Sequence, residues 1–258
     1  MIRTRYSKET KHNPRIKERP LGRRPRSSWL AEHADRLDKR GPLVVLLGGD
    51  SLIDFRLRVA QGHLRTDLKP SFWSHAAIVL PSERSQTARK LRHVQLDDLG
   101  ATADMPVRNA VQHCGLDYVD RAQFKNIAVL RFPVDQAAEV VEAAHALQHA
   151  RLSLDLVGPV LRWLGFALGA QAGNPLLEGH SIPAAAFVEA CFARAGVDLS
   201  PGVSESVSCP ESIWQAALWW NSFYESTERG EDAEHKRERR VGVQGFSCIR
   251  QRAAFVAD

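Results

Sequence analysis

The sequence predicts an α+β fold, because a few apolar strands and several amphipathic helices follow one another without regular alternation. Clear strand patterns occupy residues 42–47, 72–80 and 126–132, and each is closed by glycine or proline. Weaker patterns around residues 93–96 and 106–112 predict two further short strands. The expected architecture is a small antiparallel sheet packed against helices.

Four segments carry apolar residues at helical spacing. They are residues 29–40, the segment after Asp135, residues 183–195 and the segment after Ser208. Asp135 is expected to cap its helix, and Ser181 can cap the helix over 183–195. Ser208 and Glu211 have the spacing of a capping box at the start of the last helix.

Residues 154–170 form an apolar segment that contains Gly158 and Pro159, which predict a break. The longest apolar run remains too short and too interrupted for a membrane-spanning helix. The segment is expected to line an acyl pocket, to touch a membrane, or to form an ordinary core helix. These alternatives remain open from the sequence.

Charge divides the chain into an arm, a body and a tail. Residues 1–28 contain ten Lys or Arg and two Glu, a charge of +8, whereas the whole chain carries +5. The prediction is a basic N-terminal arm over 1–28, one domain over 29–224 and a charged tail over 225–258. The arm is expected to bind an anionic surface or protein partner, or to be a solvated tail. Its few aromatics argue against sequence-specific nucleic-acid binding.

Several functional classes are disfavoured by composition. No secretory signal pattern follows the first basic residues, and the four cysteines match neither a zinc pattern nor a dense disulfide framework. We therefore expect a reducing, cytoplasmic location in the producing cell, with export by a signal-peptide-independent route as an alternative. His145 and His149 are spaced i, i+4 but lack the glutamate and third ligand of a zinc protease. No metal or cofactor is expected.

Four short motifs occur in one order along the chain: "GDSLI" (49–53), "SHAAIVL" (74–80), "AAAFVEACFARAG" (184–196) and "PESIW" (210–214). In this order they resemble the circularly permuted branch of the NlpC-type papain-fold superfamily. That branch includes permuted bacterial cysteine hydrolases and the lecithin:retinol acyltransferase group. The resemblance covers roughly residues 41–222, and it implies a permuted papain-like fold.

The resemblance also implies roles for particular residues. His75 would be the catalytic base, and Ala184 occupies the place of the nucleophilic cysteine at the start of a helix. A third polar group, on the strand after the histidine strand, would be Asn109 first, then Gln112 or His113. Gly49, Asp50 and Ser74 would support the site.

A thiol at residue 184 would sit where helix N–H groups favour the thiolate, and a histidine beside it could take the proton. The family chemistry passes through an acyl-thioester on an amide or ester. A lipid acyl ester is the favoured substrate and a peptidoglycan amide the second, which would also suit a bacterial effector. The chain as written is expected to be inactive, either because a native cysteine was replaced or because it is a natural pseudoenzyme. The alternative function is a catalytically dead interaction module docked through its basic arm.

This interpretation makes one geometric prediction. The imidazole of His75 should lie beside the methyl group of Ala184, because a base and a nucleophile must come near hydrogen-bond distance.

Overall fold

The computed structural model describes residues 16–17, 25–38, 41–81, 89–96, 109–169, 173–203, 207–227 and 242–246. The α+β class is confirmed, because mixed helices pack on a largely antiparallel sheet. Its helices are α1 (Arg26–Leu37), α2 (Leu52–Ala60), α3 (Ala137–Ala146), α4 (Val157–Ala167), α5 (Pro183–Arg194) and α6 (Pro210–Thr227). Its strands are β1 (Ile16–Lys17), β2 (Leu43–Gly49), β3 (His75–Leu80), β4 (Lys90–Val94), β5 (Val111–Gly115), β6 (Phe124–Arg131) and β7 (Gly242–Phe246).

The strands form one sheet in the order β1-β7-β6-β2-β3-β4-β5. All neighbours are antiparallel except β1 and β7, which are parallel. The central strand β2 pairs with β3 and β6, and β4 joins β3 to the outer strand β5. The predicted short strands therefore exist, although β4 and β5 are displaced by several residues from their expected positions.

The sheet separates two apolar cores because successive side chains in a strand point to opposite faces. On one face Val44, Leu46, Ala76 and Ile78 pack with α2 to α6, and we call this the α5-face core. On the other face Leu43, Val45, Ala77 and Val79 pack with α1 and the 3-10 helix Leu116–Asp120, and we call this the α1-face core.

The helix α2 was not predicted, because the segment between β2 and β3 has the composition of a polar connection. Its start has a clear signal, because the Ser51 hydroxyl oxygen accepts the backbone N–H of Asp54 at 3.1 Å. Leu57 and Ala60 then face the α5-face core. Asp54, Arg56 and Arg58 interrupt the apolar residues of α2, so no continuous apolar run marks this helix in the sequence.

The predicted helix caps are wrong at three places. The helix α5 is preceded by Ile182 with no side-chain cap, and the Ser181 hydroxyl instead accepts the N–H of Ser208 at 3.0 Å. Asp135 does not cap α3, whose N-cap position is Gln136. At α6 the Ser208 hydroxyl has no partner among the described residues, and the capping contact joins Cys209 N–H to Ser212 Oγ at 3.1 Å.

The helix α4 runs without interruption through Gly158 and Pro159, so the predicted break does not occur. Pro159 lies in the first turn, where the missing N–H would have had no partner inside the helix. None of the helices among the described residues is long and apolar enough to cross a membrane.

The basic arm overlaps two described elements. The strand β1 lies within it, and α1 begins at Arg26, before the predicted boundary at residue 28. Ser27 is already fixed to the body, because its backbone N–H donates to Asp120 Oδ1 at 3.0 Å and its hydroxyl donates to Oδ2.

Candidate functional site

His75 is the first residue of β3, and its imidazole lies on the α1 face of the sheet. Its Nε2 is 3.0 Å from Nδ1 of His93, and its ring packs near Tyr118 and Phe124 at centroid distances of 6.2 and 6.3 Å. Tyr118 and Phe124 both belong to the α1-face core. The strand pairing agrees, since His75 lies opposite Leu47, another member of that core.

Ala184 lies in the first turn of α5 and belongs to the α5-face core. It is 2 % exposed, and α5 packs on β3 and β4 from the side that carries Ala76 and Ile78. The sheet therefore lies between Ala184 and the contacts of His75. The expected pairing of His75 with residue 184 is not formed in this structure, since Ala184 belongs to the α5-face core whereas the rings around His75 belong to the α1-face core.

Asn109 does not serve as a third group for His75. Its side-chain Nδ2 donates to the carbonyl of Leu147 at 3.1 Å and to that of Leu154, while Oδ1 accepts the N–H of Leu156 at 3.1 Å. It is fully buried with a φ of 48°, a left-handed conformation that asparagine tolerates. Asn109 thus holds the connection between α3 and α4.

The other two candidates for the third group lie on β5 rather than beside His75. Gln112 is opposite His93 in the ladder between β4 and β5, so it shares the face of His75. His113 is opposite Arg92 and is exposed. The strand that directly follows β3 in the chain is β4, and its His93 makes the contact that was expected from Asn109, Gln112 or His113.

His93 joins a short chain of titratable groups that sequence reasoning missed. Its Nε2 is 3.5 Å from Sγ of Cys114, and its Nδ1 is 3.0 Å from Nε2 of His75. The Tyr118 ring lies 4.3 Å from the His93 ring, and the Arg121 guanidinium lies 4.5 Å over the Tyr118 ring. We call Cys114, His93 and His75 the thiol–histidine chain. A signal existed in the sequence, since His93 opens the predicted strand 93–96.

Burial controls the electrostatics of the thiol–histidine chain. It lowers the pKa of His93 well below its ordinary value, with smaller contributions from His75 and Arg121. Burial likewise raises the pKa of the Cys114 thiol to about 12; nearby Asp117 adds to the rise, and Arg121 opposes it. At neutral pH the thiol–histidine chain therefore contains an uncharged Cys114 thiol beside an uncharged His93 imidazole.

The "GD" motif has a structural role here. Gly49 N–H donates to Ser74 Oγ at 3.1 Å, and Asp50 is an exposed residue whose carboxylate lies 3.4 Å from Lys125 Nζ. The buried carboxylate of this region belongs instead to Asp54 on α2. It accepts hydrogen bonds from the hydroxyls of Ser51 at 2.7 Å and Ser74 at 2.6 Å.

A cavity of about 300 Å³ lies between the start of α4 and the outer side of α5. Its apolar wall includes Leu154, Leu156, Pro159, Ala186 and Ala190. The polar lining consists of Asp155, His180, Ser181 and Glu189. The segment 154–170 thus contributes to a cavity, on the side of α5 that faces away from the sheet.

Within the described residues, no group of three or more His, Cys, Asp or Glu side chains is arranged to hold a metal ion. His145 instead lies 2.7 Å from the Arg92 guanidinium through Nδ1, and His149 is exposed. A scan against protein-family models and a search of curated proteins both return no match for this chain.

Proposed function

We propose that this chain is a papain-like scaffold that binds an acyl-bearing amide or ester without cleaving it through α5. The observation that carries the proposal is Ala184, a buried methyl group in the first turn of the helix that should bear the nucleophile. A methyl group cannot attack a carbonyl carbon. The expected base, His75, instead contacts His93 of the neighbouring strand β4, on the α1 face of the sheet.

The cavity beside α5 supports a role in binding. Its volume is at the lower end of the range of small-molecule sites, and an apolar wall with a few polar groups is typical of them. Leu154, Leu156 and Pro159 would contact the hydrocarbon part of the ligand. The hydroxyl of Ser181 and the imidazole of His180 would lie near its polar end.

The cavity wall is held in place by contacts on both sides. Trp163 Nε1 donates to the carbonyl of Ser181 at 2.7 Å, which joins α4 to the segment before α5. Glu189 Oε1 accepts the Ser200 hydroxyl at 2.6 Å, which fixes a carboxylate at the opposite wall. The pocket is therefore formed before a ligand arrives, and ligand binding costs little ordering of the protein.

Titration calorimetry with octanamide, a neutral acyl amide, tests the proposal. We expect binding to the wild-type chain, loss of binding in Ala190→Leu, which fills the cavity, and unchanged binding in Ala193→Leu. Ala193 is exposed on the same helix and does not line the cavity, so it is the matched control. Equal binding by both variants, or no binding by the wild type, would contradict the proposal.

Hydrolysis of the same amide separates binding from catalysis. Release of octanoate is expected neither from the wild type nor from Ala184→Cys, because residue 184 and His75 lie on opposite faces of the sheet. If Ala184→Cys hydrolyses octanamide and loses that activity with His75→Ala, the chain is a cysteine hydrolase whose nucleophile was replaced. Lipid esters and peptidoglycan amides would then be the substrates to compare.

A second candidate function, an interaction module, is favoured by the position of the basic arm. The strand β1, which is part of the arm, pairs with β7 at one end of the sheet, so the arm is joined to the body there. Removal of residues 1–15, which carry five of the ten Lys or Arg of the arm, should weaken binding to vesicles of anionic phospholipid and leave octanamide binding intact. Binding by the full chain should weaken as salt rises, because exposed charges are screened.

A further inference from the structure

We propose that Cys114, His93 and His75 form a relay that accepts an acyl group from an activated ester or thioester. This site lies on the α1 face of the sheet, opposite the face that carries Ala184 and the cavity. It is independent of the function proposed above, since neither its residues nor its chemistry involve α5.

The first argument is connectivity. The 3.5 Å contact between Cys114 Sγ and His93 Nε2 and the 3.0 Å contact between His93 Nδ1 and His75 Nε2 form one continuous path. With the His93 proton on Nδ1, the thiol donates to Nε2 and Nδ1–H donates to His75. A thiol, a base and a group that orients the base is the arrangement that activates nucleophiles in enzymes.

The second argument concerns where the positive charge can rest. His93 is almost completely buried, and burial disfavours a permanent charge there and lowers the pKa of the imidazole. A relay avoids this, because the proton entering at Nε2 is matched by one leaving from Nδ1 to His75. His75 is 8 % exposed and His93 only 1 %, so a transient positive charge is less strongly disfavoured on His75 than on His93.

The third argument selects the substrate. With a pKa of about 12, the fraction of Cys114 present as thiolate at pH 7 is on the order of 10⁻⁵. An unassisted reaction is therefore slow, and the acyl group must carry a good leaving group. Cys114 is half-buried on the outer strand β5, so a small acyl donor can approach it from the sheet edge.

The transfer balances without any further reactant. The sulfur attacks the carbonyl carbon while its proton passes to His93 Nε2 and the Nδ1 proton of His93 passes to His75 Nε2. A carbon–sulfur bond forms, and the bond from the carbonyl carbon to the leaving oxygen or sulfur then breaks. The relay runs in reverse to protonate the leaving group. The products are S-acyl Cys114 and a neutral alcohol or thiol.

Acylation of the full-length chain by 4-nitrophenyl acetate tests the relay. We expect one equivalent of nitrophenol per chain and an acetyl group on Cys114 in the peptide mass spectrum. Cys114→Ser should remove the rapid phase. In His75→Gln the amide oxygen can still accept from His93 but cannot take up its proton, so acylation should slow by roughly a hundredfold.

His113→Gln is the matched control, because His113 is the exposed neighbour of Cys114 on the same strand and should leave the rate unchanged. The relay is refuted if acetyl groups appear only on other residues, or if His75→Gln reacts at the wild-type rate from pH 6 to 9. The wild type alone supplies a further measurement should a histidine variant fail to fold. A relay predicts a rate that levels off below pH 8 and falls in D₂O, whereas simple thiolate chemistry predicts a rate proportional to hydroxide.

Discussion

The hydroxyl of Ser74 donates to Oδ1 of Asp54 at 2.6 Å, and both residues are buried. The same hydroxyl oxygen accepts the N–H of Gly49 at 3.1 Å, so one side chain joins the end of β2, the start of β3 and α2. Arg58 also joins α2 to the segment before β3, since its Nε donates to the Ser71 carbonyl at 2.7 Å. Asp54 thus supports this region from a buried position, whereas Asp50, which the resemblance implies as a supporting residue, is exposed.

Ser74→Ala should lower the free energy of unfolding by about 2 kcal/mol, because it leaves Asp54 with one donor fewer and the Gly49 N–H without its acceptor. Urea unfolding followed by circular dichroism measures the change. Ser153→Ala is the control, since the Ser153 hydroxyl makes an exposed local contact to Ala150 and its loss should cost little. Equal effects of the two substitutions would exclude a special role for the buried network.

Gly48→Ala should destabilise the protein by about 3 kcal/mol through overpacking. A Cβ at this position would lie 1.9 Å from the backbone oxygen of Phe72, which cannot move without disturbing the start of β3. Gly165→Ala provides the opposite case, because nothing lies within 4 Å of an added Cβ there. That helix substitution should stabilise by about 0.5–1 kcal/mol. Thermal unfolding of both variants distinguishes the two outcomes.

Arg65→Met should cost about 3 kcal/mol at pH 7, because it leaves the fully buried carboxylate of Glu211 without its cation. The Arg65 Nη1 atom is 3.3 Å from Glu211 Oε1, and Ser71 and Gln215 donate to the same carboxylate at 2.6 Å. Burial already raises the pKa of Glu211, and loss of Arg65 raises it further.

The pH dependence of the Arg65 variant follows from that shift. A carboxyl whose pKa is raised in the folded state favours folding below its ordinary pKa and loses this contribution as pH rises. The cost of Arg65→Met should therefore shrink as pH falls and be smallest below about 4.5, where Glu211 becomes neutral in both the folded and the unfolded state. Arg36→Met, which removes an exposed pair with Glu32, should cost less than about 0.5 kcal/mol at every pH.

Acidification should destabilise the protein through His93. Because its pKa is lowered in the folded state, the unfolded chain takes up the proton first as pH falls below about 6.5. The free energy of unfolding should fall by up to about 2 kcal/mol between pH 7 and 5 from this group. His93→Gln should flatten the slope measured by urea titration, whereas a substitution of the exposed His149 should not. A slope that survives in His93→Gln would assign it to other groups.

The strands β2, β3 and β6 could be predicted from the sequence because each is a run of apolar residues. The same property explains why the sequence could not predict which face of the sheet carries the side chain of His75. Every residue of β2 and β3 is buried, since helices cover both sides of the sheet there. The alternation of polar and apolar residues that would reveal the two faces is then lost.

The partners of His75 were also hidden by the uncertain connection between β3 and β5. The sequence favours a strand at 106–112, and the resemblance implies a third group on the strand after the histidine strand, which points to Asn109. Its left-handed conformation places it in a turn before β5 instead. His93 was expected to open a strand over 93–96, but it is the fourth residue of β4, where it pairs with Ala77 at the end of the β3–β4 ladder and reaches His75 diagonally.

The division of the molecule by its sheet has a consequence for synthesis on the ribosome. The described part of the α1-face core is complete when Val129 has emerged, but the α5-face core also needs residues as late as Ala217. At translation rates of about 5–20 residues per second, the apolar side of β2, β3 and β6 stays uncovered for several seconds. During that interval the nascent chain presents a half-covered sheet to chaperones and to other nascent chains. Slower elongation after residue 130 should therefore increase aggregation of this protein in cells that lack chaperones.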